Sequence, residues 1–176
     1  LARKIGFKSF SRALMQTLIL EVQEPMNAFK KILVAVAFSR YTPTLLAYAS
    51  EMAQNLNAEL LVANVINIRN IEAISSVESM GYSVDTEAYR KSLEEERRNE
   101  IQKLLKDLPV APEKVRVIFK VGHPFEKLLQ MVQEEGVDLV VMGLKGRTDL
   151  EHVLLGSVAE KMFRHSPVPV LSCRWK

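Results

Sequence analysis

The run from Ile32 to Phe38, ILVAVAF, contains no polar side chain. A strand apolar at every position has to be covered on both faces, which is the condition of a central strand in a parallel sheet flanked by helices. Two further runs share the property with few interruptions, Glu59 to Ile66 (ELLVANVI) and Val137 to Met142 (VDLVVM). Between them lie stretches of helical period. Thr42-Pro43 reads as an N-cap followed by proline at the first helical position, Leu45, Ala49, Met52, Ala53 and Leu56 form a stripe, and Asn55 to Asn57 supply the stop.

Asp85 to Leu108 predicts a long helix with Ile101, Leu104, Leu105 and Leu108 turned inward, Glu94 paired with Arg98, and the charge run Glu94 to Arg98 on a solvated face. Lys114 to Val121 predicts a third strand, and Gly122-His123-Pro124 turns into a helix that buries Phe125, Leu128, Leu129 and Val132 and ends at Gly136. A helix from Ser157 to Arg164 and a strand from Val168 to Cys173 close the chain. Asn67 to Val84 is polar and reads as a long loop; the spacing of Ile68, Ile71, Ile74, Val77 and Met80 makes a short helix over the sheet edge the alternative. Strands alternating with helices imply one α/β domain with a parallel sheet and helices on both faces.

Composition narrows the function. The formal net charge is +3, and residues 1–25 contribute +2 of it through Arg3, Lys4, Lys8 and Arg12 against Glu21 and Glu24. The +1 left for Met26 onward gives no support to nucleic-acid binding. The single cysteine, Cys173, excludes an intramolecular disulfide, makes a reducing cytoplasmic setting the default, and reads as a small buried hydrophobe. No stretch is long and apolar enough for a membrane helix. Residues 1–25 read as a leader outside the domain, with a docking amphipathic arm as the alternative; the domain is expected over 26–176.

The stretch Val137 to Ser157 places a strand, a glycine-bearing loop and a helix N-terminus in succession, with spacing G-x2-G-x9-G-S carried by Gly143, Gly146, Gly156 and Ser157. Ligands of open parallel sheets bind beyond the carboxyl ends of the strands, and glycines let backbone amides reach phosphate oxygens. Lys145 and Arg147 are candidate countercharges. The structural alternative is that Ser157 caps its own helix in a capping box closed by Glu160, and that the glycines merely turn the chain. A Walker loop and a GxGxxG loop are both absent, which disfavours P-loop hydrolysis and nicotinamide chemistry. His123 reads as a helix cap, His152 as a loop residue and His165 as a helix end; none has metal-ligand spacing. Any Mg²⁺ or Mn²⁺ would arrive on a ligand's phosphates, with Asp149 the carboxylate best placed to help.

The four-residue signature, the first strand KKILVAVAFS, the Gly122-x-Pro124 turn and the closing GSVAEKMFRHSPVPVLSC together resemble the universal stress protein family, in its ATP-binding branch. The resemblance covers nearly all of Met26 to Arg174. It implies a single open five-stranded sheet of order 3-2-1-4-5, Rossmann-like and of the adenine nucleotide alpha hydrolase-like type, in a homodimer joined through the last strand, 168–173. It implies ATP, or another adenine nucleotide, held by Gly143, Gly146, Gly156, Ser157, Val158 and Ala159 with Arg147 nearby, Val65 meeting the adenine through its backbone, and Met142 lining the pocket. One position departs: ATP-binding members typically carry an aspartate where this chain has Ala37, and Ser39 is the residue placed to compensate. The functional expectation is therefore a regulatory, stress-response nucleotide binder without efficient catalysis. The alternatives are a nucleotide-independent interaction module with a weakened site, and a slow ATPase or autophosphorylating protein.

Overall fold

The computed structural model describes residues 29–83, 85–144 and 155–174. Its elements run β1 (Lys31–Ala35), α1 (Thr42–Asn55), β2 (Glu59–Asn67), α2 (Ile68–Ser79), α3 (Thr86–Leu105), a 3₁₀ turn at Pro112–Lys114, β3 (Val115–Gly122), α4 (Pro124–Glu134), β4 (Leu139–Gly143), α5 (Ser157–His165) and β5 (Val170–Cys173). The five strands form one sheet in the order β3-β2-β1-β4-β5, with every neighbouring pair parallel. This is the order that the family resemblance implies. The expected leader at 1–25 lies outside the described residues.

The two-faced apolar strands account for the layers. In β1, Ile32 and Val34 face a cluster built with Leu45, Leu46, Ala49 and Ala53 of α1 and Ile101 of α3. Leu33, on the other face, joins Leu128, Met131 and Val132 of α4 and Ala159 and Met162 of α5. Leu33 lies in register with Leu61 of β2 and Val140 of β4, so three buried side chains form a row across the sheet. At the opposite end of the strands from their carboxyl termini, Asp138 Oδ2 accepts from the Lys30 and Lys31 N–H groups, both at 2.9 Å. That carboxylate fixes the start of β1 beside the approach to β4.

Several boundaries differ from the sequence-based expectations. β1 ends at Ala35 rather than Phe38, because Phe38 adopts φ 51° and turns the chain away from the sheet. Tyr41 is the N-cap of α1, so Thr42 and Pro43 both lie inside the first turn, where the Thr42 Oγ1 accepts from the Ser39 N–H at 3.0 Å. The span expected as a loop after Asn67 contains helix α2, whose cap is the Asn67 side chain accepting from the Arg69 N–H at 3.1 Å. This is the short helix that the spacing of Ile68, Ile71, Ile74 and Val77 offered as the alternative, and none of its residues is fully buried. α3 is two-fold capped by Asp85, whose Oδ1 accepts from the Glu87 and Ala88 N–H groups. Helix α5 begins at Ser157 as expected, with Gly156 as its N-cap and no side chain capping it, so Ser157 does not take the capping role of the structural alternative. Cys173 is half-buried rather than fully enclosed, and that burial pushes its thiol pKa up.

The largest departure is in the charge run of α3. Glu94 and Arg98 pair at 2.9 Å as expected, with both side chains partly exposed. Arg97 does not join them: it is 6% exposed and faces the sheet.

Candidate functional site

In the order β3-β2-β1-β4-β5 the chain leaves β1 toward one edge and returns to β4 on its other side. The connections after β1 and β4 therefore depart to opposite faces: α1 joins the cluster containing α3, and α5 joins the one containing α4. The carboxyl ends of β1 and β4 part there, opening the crevice in which such sheets bind ligands. A cavity of about 520 Å³ occupies the position. That volume suits a small organic ligand of nucleotide size.

Of the residues singled out from sequence, Ala37, Ser39, Val65, Met142, Gly143, Gly156, Ser157, Val158 and Ala159 all line this cavity. Gly146 and Arg147, with Lys145, Asp149 and His152, lie outside the described residues. Residues from the ends of β1, β2 and β4 and the start of α5 are thus brought to one place, although they are separated by up to 122 positions between Ala37 and Ala159.

One wall is made of backbone. The pairing of β1 with β2 closes at Ala35 and Ala63, where the Val36 N–H donates to the Ala63 carbonyl at 2.8 Å. β2 continues to Asn67 along β3. Successive residues of a strand turn their backbone groups to opposite sides, so Val65, two places beyond Ala63, presents its N–H and C=O on the side that β1 has left. A donor and an acceptor one residue apart in space suit the edge of a planar heterocycle.

The opposite wall is the N-terminus of α5. Gly156 N–H donates to the Leu144 carbonyl at 2.8 Å, and the first helical bond runs from Glu160 N–H to the Gly156 carbonyl at 2.9 Å. With glycine at the N-cap, the first-turn amides of Ser157, Val158 and Ala159 receive no side-chain cap. Such a turn attracts anions through its N–H groups and through the helix dipole, the latter worth about 0.3–1 kcal/mol.

The turn after β1 forms the floor. Phe38 in the left-handed region costs roughly 1–2 kcal/mol for a non-glycine residue. Two sets of contacts hold it there. Ser39 ties the turn locally, its carbonyl accepting from the Thr42 N–H at 2.9 Å and its Oγ from the Tyr41 N–H at 3.3 Å. From the other side, the Arg97 guanidinium carbon lies 5.3 Å from the Phe38 ring centroid.

Arg97 and Asn64 are the site residues that sequence reasoning missed. Asn64 is buried in β2, its Nδ2 donating to the Val36 carbonyl at 2.7 Å and its Oδ1 accepting from Arg97 Nη1 at 2.8 Å. Both line the cavity. The signals were present: Asn64 interrupts an otherwise apolar strand, and Arg97 precedes Ile101 by four residues, on the same inner face of α3. Among the described residues that line the cavity, Arg97 carries the one formal charge, and no Asp, Glu or His appears. Among the described residues no group of three His, Cys, Asp or Glu side chains is arranged to hold a metal ion, and no helix is long and apolar enough to cross a membrane.

The fold and crevice define an open parallel α/β protein with a cavity at its topological switch point. Residues 28–174 match the universal stress protein family, and the chain belongs to that family. It is 31% identical to Universal stress protein MJ0577 of Methanocaldococcus jannaschii over 156 residues, covering 84% of this chain and 96% of that protein. The solved structure of MJ0577 superposes with a TM-score of 0.70, covering 85% of this chain and 98% of that one. Universal stress protein YxiE of Bacillus subtilis is 32% identical over 154 residues, covering 83% of this chain and 99% of its own. A universal stress protein solved in complex with cAMP shares the fold at 21% identity and a TM-score of 0.54, over 83% of this chain and 97% of that one.

Proposed function

We propose that the protein binds an adenine nucleotide, ATP in the first instance, as a regulatory ligand in a cytoplasmic stress response. The observation that carries this reading is the pairing, across one cavity, of the open Val65 backbone edge with the uncapped first turn of α5. The first is matched to a purine edge and the second to phosphates. The cAMP complex of a relative supports the same ligand class. Any Mg²⁺ or Mn²⁺ comes with the phosphates. The role we propose is binding rather than turnover, with a described lining of backbone amides, carboxamides and a guanidinium.

Isothermal titration of the purified full chain with ATP tests it. Saturable 1:1 binding below millimolar concentration is expected. Absence of saturation at millimolar ATP overturns the nucleotide reading. In a protein that stays folded, that outcome favours an interaction module acting through α2 and the adjoining turn, where Met80 is 73% and Tyr82 66% exposed.

We further propose a homodimer joined through residues 168–173. Among the described strands β5 pairs on one side only, with β4. The Pro169 and Cys173 carbonyls accept from Val140 and Leu144 of the β4 segment, so the alternate residues Val170 and Ser172 direct their backbone groups to the open edge. Light scattering is expected to give about twice the 19.9 kDa chain mass. The variant Ser172→Pro removes an outward donor without touching the bonds to β4, and is expected to be monomeric. A monomeric parent protein overturns this assembly.

A further inference from the structure

The ladder between β1 and β2 stops one bond early on the cavity side. Alternate residues of β1 bond to β2, from the Lys30 carbonyl, which accepts from the Glu59 N–H at 2.8 Å, to the Val36 N–H, which donates to the Ala63 carbonyl at 2.8 Å. In a parallel ladder a residue that donates to one position accepts from the position two places further along, so the next bond of this rank would run from the Val65 N–H to the Val36 carbonyl. It is not made: the pairing ends at Ala35 and Ala63, and the Val36 carbonyl accepts instead from Asn64 Nδ2 at 2.7 Å. The Asn64 side chain thus stands in for the Val65 amide. Its orientation is fixed from behind, because a guanidinium only donates: Arg97 Nη1 donates to Asn64 Oδ1 at 2.8 Å, which leaves the amide nitrogen for Val36. Asn64 is 2% exposed, and both bonds are buried. The bond after that would join the Phe38 N–H to the Val65 carbonyl, and the left-handed turn at Phe38 carries the chain away before it can form.

We propose that Asn64 is a positioning residue that sets the choice of base: by occupying the Val36 carbonyl it keeps β1 from closing on β2 and leaves the Val65 N–H to the ligand. This rests on the nucleotide reading above and deepens it. Val36, Asn64 and Val65 all line the cavity. With the phosphates held at α5 the base meets Val65 in one orientation, and an N–H beside a C=O then matches a ring nitrogen beside an exocyclic amino group. A 6-oxo purine reverses that pair, so that donor faces donor and acceptor faces acceptor. Were the Val65 N–H bonded to Val36, only its carbonyl would remain, and either kind of purine can donate to a carbonyl. The ligand class is therefore a 6-aminopurine nucleotide, chosen over its 6-oxo counterpart through Asn64.

The test combines residue-resolved amide hydrogen exchange of the full chain with titrations of ATP and GTP, each repeated on Asn64→Asp. That variant keeps the shape and the acceptor for Arg97 and removes only the donor to Val36. In the free parent protein the Val65 N–H is expected to exchange at least about tenfold faster than the laddered Ala63 N–H, and to slow about tenfold or more at saturating ATP. ATP is expected to bind at least about tenfold tighter than GTP. In Asn64→Asp the Val65 N–H is expected to be protected without ligand and the ATP-to-GTP ratio to fall toward one, with GTP affinity little changed; a merely structural role would weaken both nucleotides alike. A Val65 amide as protected as Ala63 in the free parent overturns the proposal, even if the variant does not fold. Equal binding of ATP and GTP by the parent, or a ratio that survives Asn64→Asp, also overturns it while leaving the nucleotide reading intact. If neither nucleotide saturates, both readings fall.

Discussion

Replacing Ser157 by glutamate is expected to lower ATP affinity by about tenfold to a hundredfold without destabilising the protein. Ser157 is the first residue of α5 and is exposed, so the longer side chain meets no steric barrier. A carboxylate about 5 Å from a phosphate at an effective dielectric of about 20 is repelled by about 3 kcal/mol, and solvent screening at an exposed position reduces this to roughly 1.4–2.7 kcal/mol. The same carboxylate is favoured by the helix dipole by about 0.3–1 kcal/mol. Binding and stability thus move in opposite directions. Calorimetric titration beside thermal melting checks both, and unchanged affinity would remove the α5 terminus from the proposed site.

A larger effect, on stability rather than on binding, is expected from Leu33→Ala. Leu33 is fully buried in the central strand, between Leu61 and Val140 in the row that crosses the sheet. Helices α4 and α5 close over it with Met131 and Met162. A leucine truncated in such a place costs about 2.7–5 kcal/mol, because the neighbours relax only partly into the space. For a domain of this size the melting temperature is expected to fall on the order of 10 °C. Urea or thermal unfolding measures it; a loss under 1 kcal/mol would mean that the α4 and α5 layer is not packed on Leu33.

The two variants separate what is legible in the chain from what is not. The row containing Leu33 could be anticipated, since a strand apolar on both faces needs helices on both sides and the helical stripes are present to supply them. Gly156 and Ser157 were also readable, through their spacing from Gly143, but whether Ser157 caps α5 or opens it was not. A capping serine and a serine at the first helical position look alike in sequence, and backbone dihedrals decide between them. The polar stretch after Asn67 read as a loop or a short helix, and the structure takes the helix; because α2 buries none of its residues, composition alone did not decide between the two.

Arg97 marks the limit. In a run of five charges, each residue looks solvated, and helical phase alone distinguishes the one that turns inward. Its meaning depends further on Asn64, 33 positions earlier in another strand, and on the left-handed turn at Phe38. By itself the sequence determined the α/β class, the apolar layers and the glycines that come to border the cavity, because these follow from periodicity and local backbone chemistry. Tertiary structure alone decided that a buried cation borders the same cavity, because that contact joins segments distant along the chain and no local pattern encodes which of them meet.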